Sequence, residues 1–238
     1  MKIVTAKNMT INAIIMGSTG MVGKGVLLEC LESSSVESVL VINRHSIGTK
    51  HPKLKEIVHK DLFNIDPLIN ELAGYNACYF CLGISAAGLS EQDYRKITYD
   101  LTLNFAKTLL KMNPEMTFCY VSGAGTDSKE TSRMMWARVK GKTENDLLAL
   151  PFKSAYMFRP GYIQPMRGLR SRTPLYNFLY VFLKPFYFLL KNLKSAVTNT
   201  DAIGQAMINV TLHDYYKNIL DPGDINKLAS MELLIMRN

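Results

Sequence analysis

A chain of 238 residues, 47% hydrophobic and 20% charged, is long enough for a sizeable core and short enough for one domain with an appendage. Its net charge of +8 and pI near 9.2 admit nucleic acid, anionic small molecules or lipid head groups as partners. The basic residues are dispersed, however, and even the three arginines in the six positions from Arg167 to Arg172 lack interleaved aromatics or a helix-turn-helix pattern, which argues against nucleic acid.

Residues 1–10 carry Lys2 and Lys7 but no apolar stretch and no small-residue cleavage site, so a secretory signal is excluded and a cytoplasmic protein is expected. An apolar run at 11–16 predicts the first strand, and an amphipathic segment at 21–31 predicts a helix. Between them lies Gly17-Ser18-Thr19-Gly20-Met21-Val22-Gly23, a glycine-rich turn in the strand-to-helix setting of a dinucleotide site. Gly17 is expected to allow the tight exit from the strand, Gly20 to let backbone amides approach a pyrophosphate, and Gly23 to let the helix pack closely. The helix amino terminus then faces the phosphates.

A second strand is predicted at 38–42, and the chain continues Asn43-Arg44-His45-Ser46. An NAD site usually offers a carboxylate at this point and an NADP site a cation. No acid is present, and Arg44 suits a 2′-phosphate through two parallel hydrogen bonds. The prediction is therefore NADP(H) over NAD(H). A weaker third strand at 56–59 is followed by Asp61-Leu62, placed to reach the adenine edge, and a short helix is predicted at 66–72. The fourth strand, 77–82, ends in Cys81-Leu82-Gly83, where the glycine lets the backbone pass close to the cofactor. Cys78 and Cys81 lie three apart on a strand and point to opposite faces, so Cys30, Cys78, Cys81 and Cys119 read as reduced thiols. The histidines at 45, 51, 59 and 213 have no ligand spacing, and no metal is predicted.

A long helix at 90–111 opens on Ser90-Glu91-Gln92-Asp93, similar to a capping box, and ends at Asn113-Pro114. The fifth strand (117–122), a helix (132–150) and the sixth strand (154–159), stopped by Pro160-Gly161, complete an alternation that predicts an α/β fold. Its doubly wound, mostly parallel Rossmann sheet would carry a small helical carboxyl-terminal extension. Residues 1–165 form the cofactor-binding core and 166–238 a substrate or lid segment that returns to it, within one structural domain overall. Residues 175–190 are strongly apolar and aromatic but interrupted by Lys184-Pro185, too short and broken to span a bilayer. They read as a lid or homodimer surface, or as a peripheral membrane contact flanked by basic residues. A helix is then predicted from Thr200-Asp201, with Ile203, Ala206, Met207 and Val210 as its core stripe.

Taken in order, GSTGMVG, Asn43-Arg44, Val121-Ser122-Gly123-Ala124-Gly125, Val139-Lys140-Gly141-Lys142-Thr143-Glu144 and Arg159-Pro160-Gly161 resemble the atypical short-chain dehydrogenase/reductases. The similarity is to the NAD(P)-binding, NmrA-like and Tat-interacting-protein-like branch, related to sugar-nucleotide epimerases. The resemblance covers 11–165, with a weaker echo over 200–228. It implies a Rossmann core, an NADP(H) preference, cofactor contacts that include Pro160 and Gly161, and a substrate pocket built by the carboxyl-terminal segment. Active members place a serine after the fifth strand and a Tyr-x-x-x-Lys pair on the next helix. Ser122 and Lys140 match, but the tyrosine position holds Trp136, whose indole donates a hydrogen bond and does not exchange a proton near neutral pH. The implied protein is an oxidoreductase of low or altered activity on an apolar small molecule, with a non-catalytic cofactor sensor or an epimerase-like enzyme as alternatives.

Overall fold

The apolar runs become strands β1 (Ile11–Met16), β2 (Val36–Asn43), β3 (Leu54–Val58), β4 (Ala77–Phe80), β5 (Thr117–Val121), β6 (Ser154–Phe158), β7 (Tyr162–Gln164), β8 (Val197–Asn199) and β9 (Ile219–Leu220). They belong to a computed structural model that describes residues 10–169 and 196–231. One sheet runs β3-β2-β1-β4-β5-β6-β9, every neighbouring pair parallel, while β7 and β8 pair apart from it. Parallel pairing requires a crossover after each strand. Helices supply four of these, α1 (Met21–Glu32) after β1, α2 (Glu91–Arg95) with α3 (Thr102–Met112) after β4, α4 (Met135–Leu148) after β5 and α5 (Thr200–Leu212) before β9; the β2–β3 connection is a loop, and α6 (Pro222–Ala229) follows the last strand.

Alternation along the strands builds two cores. Ala13 and Ile15 of β1 join Val39, Tyr79, Cys119 and Phe158 beneath α1, α5 and α6. Ile14 and Met16 point the other way, joining Leu40, Phe80, Phe118 and Met157 under α3 and α4. With both faces covered, the central strands are largely apolar, as buried parallel sheets are. The strand order reverses beside β1, whose neighbours are β2 and β4; the crevice beyond the carboxyl ends of strands at such a switch point is where this topology receives ligands.

Three elements differ from expectation for local reasons. The long helix is α2, one wider turn (Lys96–Leu101) and α3. Its start is set by the Ser90 hydroxyl, which accepts the Asp93 amide at 3.1 Å. α4 begins at Met135 rather than 132, because the Asp127 carboxylate gathers the amides of Lys129, Thr131 and Ser132 into a turn first. Residues 66–72 form a 3₁₀ segment, Asp66–Glu71. The carboxyl-terminal part supplies α5 and α6, and also β9, which extends the sheet beside β6. The aromatic stretch at 175–190 lies outside the described residues, as do Arg170 and Arg172. Among the described residues no helix is long and apolar enough to cross a membrane.

Candidate active site

The glycine turn is shaped by contacts that leave no room for side chains. Gly17 has φ +81°, and a Cβ there would sit 2.6 Å from the Leu82 amide nitrogen. A Cβ on Gly23 would sit 2.2 Å from the Gly17 carbonyl oxygen, so α1 rests directly on the turn. Gly20 behaves differently. Its amide donates to the Gly17 carbonyl at 2.9 Å, it caps α1 with no side-chain cap and no acid in the first turn, and a Cβ on it would have one near neighbour, at 3.3 Å. The helix end, with its uncapped donors and positive dipole, therefore opens toward the crevice. Ser18 is turned inward: its hydroxyl donates to Asn43 Oδ1 at 2.9 Å, and both residues are buried. Ser18 and Gly23 thus brace the turn, while Gly17, Thr19, Gly20, Met21 and Val22 line the space above it.

That space has two halves. The first, about 440 Å³, is walled by Arg44, Lys60, Asp61, Leu62 and Phe63 and floored by Gly17, Leu82 and Gly83. Arg44 is exposed, and neither Arg44 nor Lys60 forms an ion pair among the described residues. The carboxylate that lines this half is Asp61; that of Glu56 on β3, hydrogen-bonded to Asn43, is already engaged. It accepts the Ser46 hydroxyl at 2.6 Å, the Ile47 amide at 2.9 Å and Asn43 Nδ2 at 3.0 Å. Its burial acts to raise the pKa, but these three hydrogen bonds outweigh it and hold the group below the usual range. Asp61 spends one oxygen on the Phe63 amide at 3.0 Å, the role of a turn former.

The second half, about 780 Å³, shares Gly20, Cys81, Gly83, Ile84 and Ser85 with the first, so the two make one trough across the glycine turn. Trp136 and Lys140, one turn apart on α4, face Pro160, Gly161 and Tyr162 across it. Lys140 Nζ donates to the Ser122 carbonyl oxygen. Burial pushes its pKa down to about 8, with the Glu144 carboxylate opposing in part. The Ser122 hydroxyl points away from the trough, donating to Glu144 Oε1 and lying 3.1 Å from the Phe158 carbonyl. Glu144 is fully buried. Both its oxygens accept from Arg159 Nε, at 3.0 and 3.1 Å, and Arg159 Nη2 also reaches Ser128 Oγ at 2.6 Å.

Trp136 lies with its benzo edge over Gly125, where a Cβ would stand 3.1 Å from the ring. Of the tyrosines considered from sequence, Tyr94 and Tyr162 line the trough. Tyr99 does not; its hydroxyl is given to Asp146. Cys81 also lines the trough, its thiol pushed up to about 12 by burial. Among the described residues Lys140 is the one charged side chain in this half. The trough therefore combines an uncapped helix end for anionic groups, a cationic wall at one end, and an apolar chamber with a single ammonium at the other. Sequence reasoning missed Lys60, Phe63, Ile84 and Ser85, all in loops without periodicity; the position of Lys60 beside Asp61 was the one usable signal.

No protein-family model matches the chain. It is 31% identical over 152 residues to Protein FMP52, mitochondrial, of Debaryomyces hansenii, covering 63% of this chain and 66% of that one. The corresponding protein of Saccharomyces cerevisiae is 30% identical over 165 residues, 68% of each chain. Among solved structures the fold matches the Bordetella bronchiseptica enzyme WbmF in complex with NAD+, at TM-score 0.65 and 15% identity over 95% of this chain and 79% of that one. It also matches a short-chain dehydrogenase/reductase from Saccharomyces cerevisiae, at TM-score 0.65 and 11% identity over 92% and 98%. The mitochondrial names of the relatives overturn the cytoplasmic expectation. That expectation rested on the lack of a secretory segment, which tests only the secretory route.

Proposed function

This chain belongs to the FMP52 family and has the fold of the short-chain dehydrogenase/reductases, and from that premise we propose that it is an NADP(H)-binding oxidoreductase acting, weakly or by an altered route, on an apolar small molecule. The observation that carries this reading is the single trough across the glycine turn. Gly20 and the first turn of α1 would hold the pyrophosphate, Asp61 and Leu62 the adenosine, Lys140 a ribose hydroxyl, and Pro160 and Gly161 the nicotinamide end. Bound there, the nicotinamide supplies or accepts a hydride. Preference for NADP(H) is supported by Arg44 and Lys60, two cations on a wall whose one lining acid, Asp61, has an oxygen engaged by the Phe63 amide.

Trp136 takes the place of the usual proton donor, a loss typically worth about 10²–10⁴ in rate. The same residue favours a second reading, a cofactor sensor without turnover. Titration with NADPH and then NADH, followed by the emission of Trp136, the only tryptophan, tests the cofactor assignment. Saturable quenching or energy transfer with NADPH and a much weaker response to NADH is expected. No saturable response to either, with calorimetry agreeing, overturns it. We also propose a mitochondrial location, on the names of the relatives; subcellular fractionation tests that.

A further inference from the structure

Arg44 stands on a short arch that follows β2, and both feet of that arch rest on one side chain. Before it, Asn43 gives Nδ2 to Glu56 Oε1 at 3.0 Å. After it, the Ser46 hydroxyl donates to Glu56 Oε2 at 2.6 Å and the Ile47 amide donates to Oε1 at 2.9 Å. The far foot is held twice more: the Ser46 hydroxyl accepts the Gly48 amide at 3.1 Å, and Ile47 packs against the core beneath α1. The near foot reaches the glycine turn, because Asn43 Oδ1 accepts the Ser18 hydroxyl at 2.9 Å. Arg44 and His45 lie between the feet, and both are exposed.

A carboxylate close to a cation that is to meet a phosphate acts in two opposite ways. Its charge repels the phosphate, a force that water and salt screen at a protein surface. Its hydrogen bonds fix the loop on which the cation stands, so that less entropy is lost in ordering that loop when the ligand arrives. Here the second effect has the geometry behind it. Both Glu56 oxygens are taken up by the arch, and the described residues that line the trough include Asn43 and Arg44 but not Glu56. We propose that Glu56 is a positioning residue for cofactor choice: by tying Asn43 to Ser46 and Ile47 it holds Arg44 in place for the 2′-phosphate. An acid on β3 thus works in favour of the more anionic cofactor. Because the same network runs on through Asn43 to Ser18, the arch and the glycine turn form one hydrogen-bonded unit.

This inference rests on the NADP(H) reading above, and the experiment separates the two. Calorimetric titration of the wild-type protein with NADPH and with NADH decides that reading: tighter binding of NADPH supports it, and equal affinities or no binding remove it and the role of Glu56 together. The same two titrations are then run on Glu56→Ala. Removal of a negative charge by itself raises NADPH affinity, whereas loss of positioning lowers it, so the sign alone discriminates. Expected is a fall of about 10-fold in the NADPH-to-NADH affinity ratio, the worth of a charge-assisted hydrogen bond no longer aligned, with NADH binding changed by less than about 3-fold. Ser46→Ala, which removes one hydrogen bond from an exposed loop residue, should lower the ratio by about 3-fold, and it stands as the test if Glu56→Ala does not fold. A double-mutant cycle shows the route. In an Arg44→Ala background Glu56→Ala should leave the ratio within about 2-fold, because the residue through which it acts is gone. A ratio unchanged or raised in the folded variant, including a loss shared equally by NADH, or an equal fall with and without Arg44, overturns the positioning role and leaves the cofactor reading intact.

Discussion

At the ends of β2 and β3 the trough is walled by loop side chains that water reaches, Arg44 among them, whereas beneath Lys140 it rests on Glu144, fully buried and gripped by Arg159 and Ser122. The adenosine half is thus a removable lining on a finished fold. The nicotinamide half is part of the fold's own interior. Charge changes in the first should alter which cofactor binds and leave stability alone; in the second they should unsettle the protein.

The harshest way to break this contrast is Glu144→Gln. Removing one partner of a buried pair typically costs about 3–5 kcal/mol. Because Arg159 retains some water contact, at 19% side-chain exposure, the lower end applies, and Tm should fall by roughly 6–12 °C. A thermal melt within about 2 °C of the wild type would mean that the cluster does not support the chamber. Two glycines sharpen the contrast next. Gly23→Ala places a methyl against the Gly17 carbonyl and should cost about 1–3 kcal/mol, as overpacking does, with cofactor binding lost alongside. Gly20→Ala adds its methyl with one near neighbour. It should melt like the wild type while losing at least ~10-fold in NADPH affinity. Equal melting losses for the two variants would contradict the division between bracing and lining residues.

In the adenosine half Arg44→Ala should weaken NADPH about 10–100-fold, the worth of a charge-assisted hydrogen bond pair, and leave NADH and Tm nearly unchanged. Lys60→Ala should act in the same direction by about 10-fold or less. Calorimetry with both nucleotides reads the difference, and parallel losses for NADH would move Arg44 away from the 2′-phosphate.

What the sequence disclosed follows the same division. The glycine turn was legible because Gly17 and Gly23 answer to local sterics, and the cation after β2 because an absent acid is visible in a short string. The strands showed through their apolar runs. β9 did not: two residues carry no period, and its place beside β6 is decided by α5 and α6 folding back on the core. The Glu144–Arg159 pair joins a helix to a strand end across 15 residues, and no spacing rule pairs them. For the same reason the match of Ser122 to a known motif said nothing of its hydroxyl, which Glu144 turns inward. Trp136 was noticed as a missing tyrosine; that it lies over Gly125 is a fact of packing.

The two halves should also part company with pH. Burial lowers Lys140 to about 8, below the ~10.4 of a free lysine. A lysine loses its charge as pH rises through its pKa, so the ammonium in the nicotinamide half is present at pH 7 and fades above about 8. The 2′-phosphate expected beside Arg44, with its second pKa near 6, is fully ionised over the same range. Any contact that depends on Lys140 as a cation should therefore weaken by about 10-fold for each pH unit above 8, while the NADPH-over-NADH preference stays constant. Lys140→Arg, which cannot discharge, should flatten the profile even if its geometry lowers the plateau. A wild-type profile level to pH 10, or a cofactor preference that falls along with it, would assign the titrating group elsewhere and dissolve the distinction between the two halves.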